Sequence, residues 1–375
     1  MDKSMRVALV GLGNAANEIH LPAFRRLPQI ELVAAAEPDD ATREARRRQW
    51  RLNRVYRDLS SLLEKERPDL VSICTPPHSH AELALQALAA GAHVLCEKPF
   101  VTSLAEADRV IMAARKAGRV VAINNQYPWM PIFSEARRMI GQAGFGRLLF
   151  LQAWQLMDQP PAGEKGWRGQ LPQRTLYEFG NHVIDLAGDF FAADPQRLIA
   201  HVSPMKRSYA ADVLHMVTLE YPGGRLAHIL LNRLSRGRKR YLEMRLEGEE
   251  ATMRLSLGGI ARLSVGVTPP TRRIYASLDW AAGGRCWIEN GERRRVLARN
   301  SATPFIDATV LRVQDLLADL ERGTAPVRAA ESARKTLEIV FASYLSAARG
   351  LPVSLSPPDP ELQSFSVAEK YANEL

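Results

Sequence analysis

Apolar residues in the first third of the chain come in short unbroken runs, each followed by a stretch with helical spacing. The runs at 5–10, 30–36, 70–75, from His93 and at 120–124 have the texture of strands buried on both faces of a parallel sheet. Between them the spacing predicts helices. One begins near Ala41 behind the N-cap candidates Asp39 and Asp40. Another covers 80–90, with Leu83, Ala84, Ala87 and Leu88 on one face and Gly91 as its stop. A third covers 103–117 and ends at Gly118. Repeated strand–helix units of this length predict a doubly wound parallel sheet. After Asn125 the pattern changes. A helix over 132–141 leads to a strand over 148–155, and later runs pair across turn signals. Residues 214–220 and 226–231 flank Pro222-Gly223-Gly224, 241–246 and 252–257 flank Gly248-Glu249-Glu250, and 285–288 and 294–297 flank Asn290-Gly291. These are hairpin signatures, and they predict an α+β domain built on an open, mostly antiparallel sheet. Two helices, over 304–321 and 330–348, close the pattern before a Pro-rich tail.

The chemistry of the first part sits where its strands end. Residues 11–16 read Gly-Leu-Gly-Asn-Ala-Ala, a G-x-G-x-x-A turn between a strand and a helix. Gly11 and Gly13 permit a tight turn and close approach of backbone N–H groups to a pyrophosphate. Asn14 and Ala15 open the helix, and Ala16 is small enough for helix–strand packing. An anion there lies at a helix N-terminus, where the orphan amides and the dipole favour negative charge. Glu37 ends the second strand, at the place where an acidic side chain accepts from the adenosine ribose hydroxyls. The run from His93 ends in Glu97-Lys98-Pro99, delivering an ammonium to the carboxyl edge of the sheet, where open α/β folds bind ligands. His80 is expected to contact the cofactor at the mouth of the preceding strand. His78 and His80 lack a Cys or carboxylate at ligand spacing, so no metal site is expected.

Composition narrows the class. At 375 residues with 46% hydrophobic and 24% charged residues, two soluble globular domains are expected. No apolar run reaches the ~20 residues of a membrane span. The N-terminal sequence has no signal-peptide character, and Cys74, Cys96 and Cys286 are too scattered for a disulfide framework. A cytosolic location is expected. The formal charge of +9 invites a nucleic-acid reading. Only nine of the 50 basic residues are Lys, however, and the Arg is spread along the chain. The runs Arg46–Arg48, Arg236–Arg240 and Arg293–Arg295 lack interleaved aromatics and read as solvated faces, so no nucleic-acid partner is expected.

A second chemical cluster lies at Glu178-Phe179-Gly180-Asn181-His182-Val183-Ile184-Asp185. On one α-helix Glu178 and His182 are i,i+4 and Asp185 is i+3 from His182, so the three share a face. A carboxylate beside an imidazole raises its basicity and fixes its tautomer, as a general base requires. Tyr127, Trp167 and Arg168 are candidates to line the substrate pocket.

These residues together resemble the family of glucose-fructose oxidoreductases, inositol dehydrogenases and rhizopine-catabolism proteins. The markers are Thr75-Pro76-Pro77 with His80, Ala90-Gly91-Ala92-His93-Val94 leading into Glu97-Lys98-Pro99, and His182-x-x-Asp185, and the likeness extends from the Gly-rich turn to the C-terminal helices. The resemblance implies a Rossmann domain over 1–125, a substrate-binding and oligomerisation domain over 126–355 with an open sheet at the dimer face, and a tail over 356–375. It implies NAD as cofactor, with NADP as the alternative, contacted also by Thr75, Pro76, Pro77, Glu97, Lys98 and Asn125. It further implies a homodimer or homotetramer, and hydride transfer to or from a carbinol carbon of a sugar or cyclitol. Lys98 and His182 match the family's catalytic pair, and Asp185 falls in the substrate-binding group. The family's Asp four residues before the His is Glu178 here, and the Gly-rich approach to that helix is replaced by Gln173-Arg174-Thr175-Leu176-Tyr177. Two other functions fit the same scaffold: cleavage of a glycoside by transient oxidation and elimination, and a non-catalytic nicotinamide-binding regulator.

Overall fold

The computed structural model describes residues 4–161, 166–205, 209, 211–236, 241–258, 261–268, 273–280, 283–324, 326 and 329–367, with main chain only at 170, 261–268 and 273–280. Part of the Arg236–Arg240 run and the last eight residues of the predicted tail lie outside these. The chain divides into two compact units. The first comprises Met1–Gln126, Phe305–Ala342 and Pro358–Glu374, the second Tyr127–Pro304 and Ser343–Pro357.

In the first unit the strands are β1 (Met5–Val10), β2 (Ile30–Ala36), β3 (Val55–Tyr56), β4 (Leu70–Ile73), β5 (His93–Cys96) and β6 (Val121–Ile123). All pair in parallel, in the order β3-β2-β1-β4-β5-β6. This is the doubly wound Rossmann order, with its reversal between β1 and β4. The helices are α1 (Leu21–Phe24), α2 (Asp40–Trp50), α3 (Leu59–Glu66), α4 (His80–Ala89) and α5 (Leu104–Ala117). The side chain of Asp39 caps α2 by accepting from the Thr42 amide at 2.7 Å, and Ser103 caps α5 through the Glu106 amide at 3.2 Å. Every residue of β4 is buried, which explains why its sequence shows no alternation. Because the six strands are parallel, their carboxyl ends lie along one edge. The turns after β1, β2, β4, β5 and β6 therefore bring Gly11, Glu37, Thr75, Lys98 and Asn125 to the same side of the sheet.

The second unit is built on β7 (Leu148–Leu156), β8 (Arg197–Ser203), β9 (Leu214–Tyr221), β10 (Arg225–Asn232), β11 (Leu242–Gly248), β12 (Thr252–Leu257), the hairpin β13 (Ala261–Thr268) and β14 (Arg273–Trp280), β15 (Gly284–Asn290), β16 (Arg293–Arg299) and β17 (Val353–Ser354). Nine of these form one sheet in the order β16-β15-β12-β11-β7-β10-β9-β8-β17. It is antiparallel except for the β7–β10 pair. Residues of β9 and β10 alternate between buried and half-buried, as expected of a sheet with one packed face. Helices α6 (Pro131–Met139) and α7 (Asn181–Phe191) belong to this unit. Of the strands here, β8, the β13–β14 hairpin and the two-residue β17 carry no strong pattern of their own and escaped the sequence reading.

One assignment is corrected. The closing helices, α8 (Pro304–Arg322) and α9 (Ala330–Arg349), were grouped by sequence with the second domain. Nearly all of α8 and the larger part of α9 pack with the first unit. Val313, Leu316 and Leu317 enter the same core as Val7 and Leu9 of β1, Leu70 of β4 and Leu95 of β5. An apolar helical stripe records that a partner exists, not which partner it is. Truncating Leu316 to Ala removes a fully buried side chain from this core. It should lower the stability of the first unit by ~2–5 kcal/mol in urea denaturation. An unchanged midpoint would contradict the docking of α8 in that core.

Candidate active site

The candidate nucleotide-binding residues are assembled in the first unit. Gly11 has a φ of +79°, and a Cβ there would meet Thr75 Cγ2 at 2.6 Å and the Thr75 amide nitrogen at 2.9 Å. Glycine is therefore required where the β1 turn crosses the end of β4. At Gly13 a Cβ would meet nothing within 4 Å, so the backbone there is open to close approach. The following helical turns bury Ala16 completely. Glu37 braces the loop: Oε2 accepts from the Leu12 amide at 2.8 Å and Oε1 from the Asp39 amide at 3.1 Å. A glycine-rich turn, a helix N-terminus and a carboxylate fixed at the end of β2 are the parts a dinucleotide needs, and these residues fit one.

Beneath that edge lies a buried polar cluster. Glu97, 8% exposed, turns its side chain inward. Oε1 accepts from His20 Nε2 and from Asn124 Nδ2, each at 2.7 Å, and Oε2 accepts from the Lys98 amide at 3.2 Å. On its other side the His20 ring meets Ser72 Oγ at 2.9 Å through Nδ1. Burial would lower the His20 pKa, but Cys74 and Glu97 outweigh it and raise it to about 10. Burial likewise opposes ionisation of Glu97, yet His20, Lys98 and Asn124 hold it below the usual carboxylate value. Glu97 was expected to contact the cofactor. Its carboxylate instead anchors the main chain that carries Lys98, which is half-buried at the end of β5.

His80 is corrected in the same way. Its side chain is fully buried, with Nδ1 at 3.0 Å from the Pro99 carbonyl and 2.9 Å from that of Phe100, and Nε2 at 2.7 Å from the Thr75 carbonyl. Burial lowers its pKa against the pull of these carbonyls. Both nitrogens tie the turn after β4 to the turn after β5, so His80 shapes the edge rather than touching a ligand. Thr75 and Pro76 are half-buried and Pro77 is buried, and Ser79 Oγ donates to Thr75 Oγ1 at 2.7 Å. Asn125 is buried at the end of β6.

The second unit holds the other cluster. Residues 175–180 form a π-helical turn that runs into α7, so Glu178 and His182 do not lie on one regular α-helix as the spacing had implied. Such turns widen the helix locally and recur at functional sites. Gly180 makes this one compact, since a Cβ there would meet Leu176 Cδ1 at 2.4 Å and Leu231 Cδ2 at 3.1 Å. Both oxygens of Glu178 are engaged by guanidiniums, Oε1 by Arg168 Nε at 2.7 Å and Oε2 by Arg174 Nε at 2.5 Å. His182 is buried, and its ring stacks on Tyr127 with centroids 3.9 Å apart and planes 4° from parallel. Tyr127, expected to line a sugar pocket, is only 1% exposed and backs the imidazole instead. Asp185 is buried, Trp167 is half-buried, and the exposed Arg168 places its guanidinium 4.4 Å from the centre of the Trp167 ring.

Asp212, which the sequence did not single out, holds this segment in place. Its Oδ1 accepts from the amides of Arg174 and Thr175 at 2.8 and 2.9 Å, and Oδ2 accepts from the Tyr344 hydroxyl at 3.0 Å. Among the described residues, no group of three or more His, Cys, Asp or Glu is arranged to hold a metal ion, and no helix is long and apolar enough to cross a membrane.

Residues 5–125 match the oxidoreductase family with an NAD-binding Rossmann fold, and residues 133–254 match the GFO/IDH/MocA C-terminal domain. The chain belongs to the GFO/IDH/MocA family. It is an enzyme, an NAD-dependent oxidoreductase. D-apiose dehydrogenase of Paraburkholderia graminis is 27% identical over 370 residues, spanning 94% of this chain and 90% of the relative. D-glucoside 3-dehydrogenase of Escherichia coli is 29% identical over 189 residues, 49% of this chain and 53% of the relative. An oxidoreductase from Agrobacterium radiobacter, solved in complex with NAD+, L-tartaric acid and magnesium, shares the fold with a TM-score of 0.80. It is 17% identical, with 95% of this chain and 99% of that one covered. The GFO/IDH/MocA assignment rests on both halves of the chain, the glycine-rich turn in one and the β-rich domain in the other.

The buried His20–Glu97 pair makes stability depend on pH. His20 has a folded value above its unfolded value of 6.5, so its contribution is fully present below pH 6.5 and lost as pH rises through about 10. Chemical denaturation across this range should show wild-type stability falling by a few kcal/mol, and His20→Gln should flatten that fall. Parallel curves for the two proteins would mean that His20 is neutral in the fold.

Proposed function

We propose that this protein oxidises a carbinol carbon of a sugar, cyclitol or sugar derivative, or reduces the corresponding ketone. The observation that carries the reading is Lys98. It stands half-buried at the carboxyl end of β5, on the strand edge that holds the glycine-rich turn, with its main chain anchored by Glu97. Names of relatives such as D-apiose dehydrogenase and D-glucoside 3-dehydrogenase support the substrate class. Bound NAD supplies the hydride acceptor at C4 of its nicotinamide. In the oxidative direction His182 takes the hydroxyl proton, and Lys98 stabilises the developing alkoxide. Glu178, set between Arg168 and Arg174, holds the π-turn that delivers His182. Asp185, Trp167 and Arg168 are the residues assigned to the substrate. A homo-oligomer in the cytosol fits the same reading: the open face of the nine-stranded sheet carries half-buried Phe150, Trp154, Met216 and Leu230.

A panel of sugars, cyclitols and glycosides, followed by NADH absorbance and by product analysis, tests the proposal. Net reduction of NAD with a ketone product is expected. Cleaved glycoside without net NADH would assign transient oxidation and elimination instead. On the best substrate, Lys98→Met should lower kcat by ~10²–10³-fold while dinucleotide affinity stays within ~10-fold. Turnover equal to wild type would remove Lys98 from the mechanism.

Cofactor choice follows from Glu37. A carboxylate that accepts from the ribose 2′-hydroxyl repels a 2′-phosphate. Arg43, the nearest cation on α2, is engaged: NH1 donates to the carbonyls of Glu37 at 2.8 Å and Pro38 at 3.3 Å, while NH2 pairs with Asp40. Like charges ~4 Å apart cost about 4 kcal/mol at an effective dielectric of 20, and solvent reduces this at an open edge. NAD should therefore bind ~10- to 100-fold more tightly than NADP. Glu37→Ser should narrow the gap chiefly by improving NADP affinity. Dissociation constants for both cofactors decide it, and NADP binding as tight as NAD in the wild-type protein would refute it.

A further inference from the structure

The stack on His182 has consequences beyond packing. The Tyr127 ring lies face to face with the imidazole at 3.9 Å, and the Phe133 ring runs parallel to it at 5.7 Å and 5°. The Tyr127 hydroxyl bonds to that of Tyr241. Burial, with Tyr241 adding to it, raises the Tyr127 pKa well above the ordinary phenol value, so the ring is neutral throughout the working pH range. A neutral aromatic face under an imidazole does two things. It blocks rotation of the ring out of its plane, and its quadrupole favours the protonated, cationic form.

We propose that Tyr127, stacked face to face on the imidazole, is a positioning residue for His182 that fixes the plane of the ring and raises its proton affinity. This rests on the reading of His182 as the proton acceptor. The floor is already in place before substrate arrives, so the base needs no reorganisation at the moment of proton transfer. The ring also stabilises the imidazolium formed when His182 accepts the proton.

The other charged groups on the elements around His182 are held by partners other than Tyr127. Glu178 lies between Arg168 and Arg174, and Asp185 is on α7 itself. Asp189 pairs with Arg137 of α6 at 3.2 Å, and Glu135 pairs with Arg138 at 2.7 Å. Tyr241 meets Tyr127 at its hydroxyl. A shift in His182 titration on replacing Tyr127 with an aliphatic residue therefore reads the ring.

The test combines kinetics with NMR of the histidine side chains, His182 being assigned through His182→Gln. In the wild-type protein the His182 ring protons should be shifted upfield by the stacked phenol. Tyr127→Leu should lower the His182 pKa by about half a unit and move the acid limb of kcat/KM down with it. It should also reduce kcat by ~10-fold with KM within about twofold, the mark of lost orientation rather than lost binding. Tyr127→Phe keeps the ring and should restore the titration and most of kcat. An unshifted imidazole in the wild-type protein overturns the proposal whether or not the Leu variant folds, and so does an unchanged titration in that variant. Full turnover by His182→Gln would instead refute His182 as the base, an outcome the titration distinguishes from failure of the stack.

Discussion

A carboxylate removed from water must find its counter-charges inside the fold, and this constraint shapes the candidate cluster of each unit. In the first unit Glu97 is satisfied by His20 and Asn124, and its remaining oxygen holds the Lys98 amide. In the second, Glu178 is satisfied by Arg168 and Arg174, and the segment that carries it is held by Asp212 through two amides and Tyr344. Each charged group presented to a ligand thus rests on a buried polar group with paired oxygens. Breaking one partner of such a cluster leaves an uncompensated charge, which is more damaging than removing the cluster whole. The machinery is rigid because its supports have few alternative ways to be satisfied.

Much of this was legible in the sequence, and what was legible was local. The parallel strands announced themselves as apolar runs because both faces are covered. Gly11 could be picked out because its turn has one physical solution, and Glu37 because its distance from that turn is set by the strand–helix–strand unit. The hairpins followed from their Gly-containing turns. The supports were another matter. His20 reaches Glu97 across 77 residues and Asp212 reaches Arg174 across 38, separations at which no periodicity operates. His80 was noticed but misread, since sequence shows a histidine at a strand mouth without showing that three carbonyls surround it. Arg174 is different: it stands i,i+4 from Glu178, a spacing that itself proposes an ion pair.

The α8 helix carries a related lesson. Its stripe was read correctly as a buried face and wrongly as part of the second domain. Chain order favours contact with the preceding strands, but the strands of the first unit present an apolar face that needs a cover. Burial is non-directional, so the pattern that drives a helix into a core does not name the core.

The replacement of the family's Asp by Glu178 can now be given a physical meaning. A Glu carboxylate stands one methylene further from the backbone than that of Asp, and at 178 it reaches two guanidiniums, one four and one ten residues before it. A carboxylate held by two arginines has less negative charge to offer a neighbouring imidazole than one held by none. The π-turn compounds this by changing the angular relation between positions 178 and 182 from that of a regular α-helix. A buried aromatic ring, meanwhile, lies parallel to that imidazole at 3.9 Å. The extra methylene is thereby coupled to the Arg pair, to the widened turn and to the stacked phenol. Returning residue 178 to Asp alone would shorten the reach to both guanidiniums while leaving the π-turn in place.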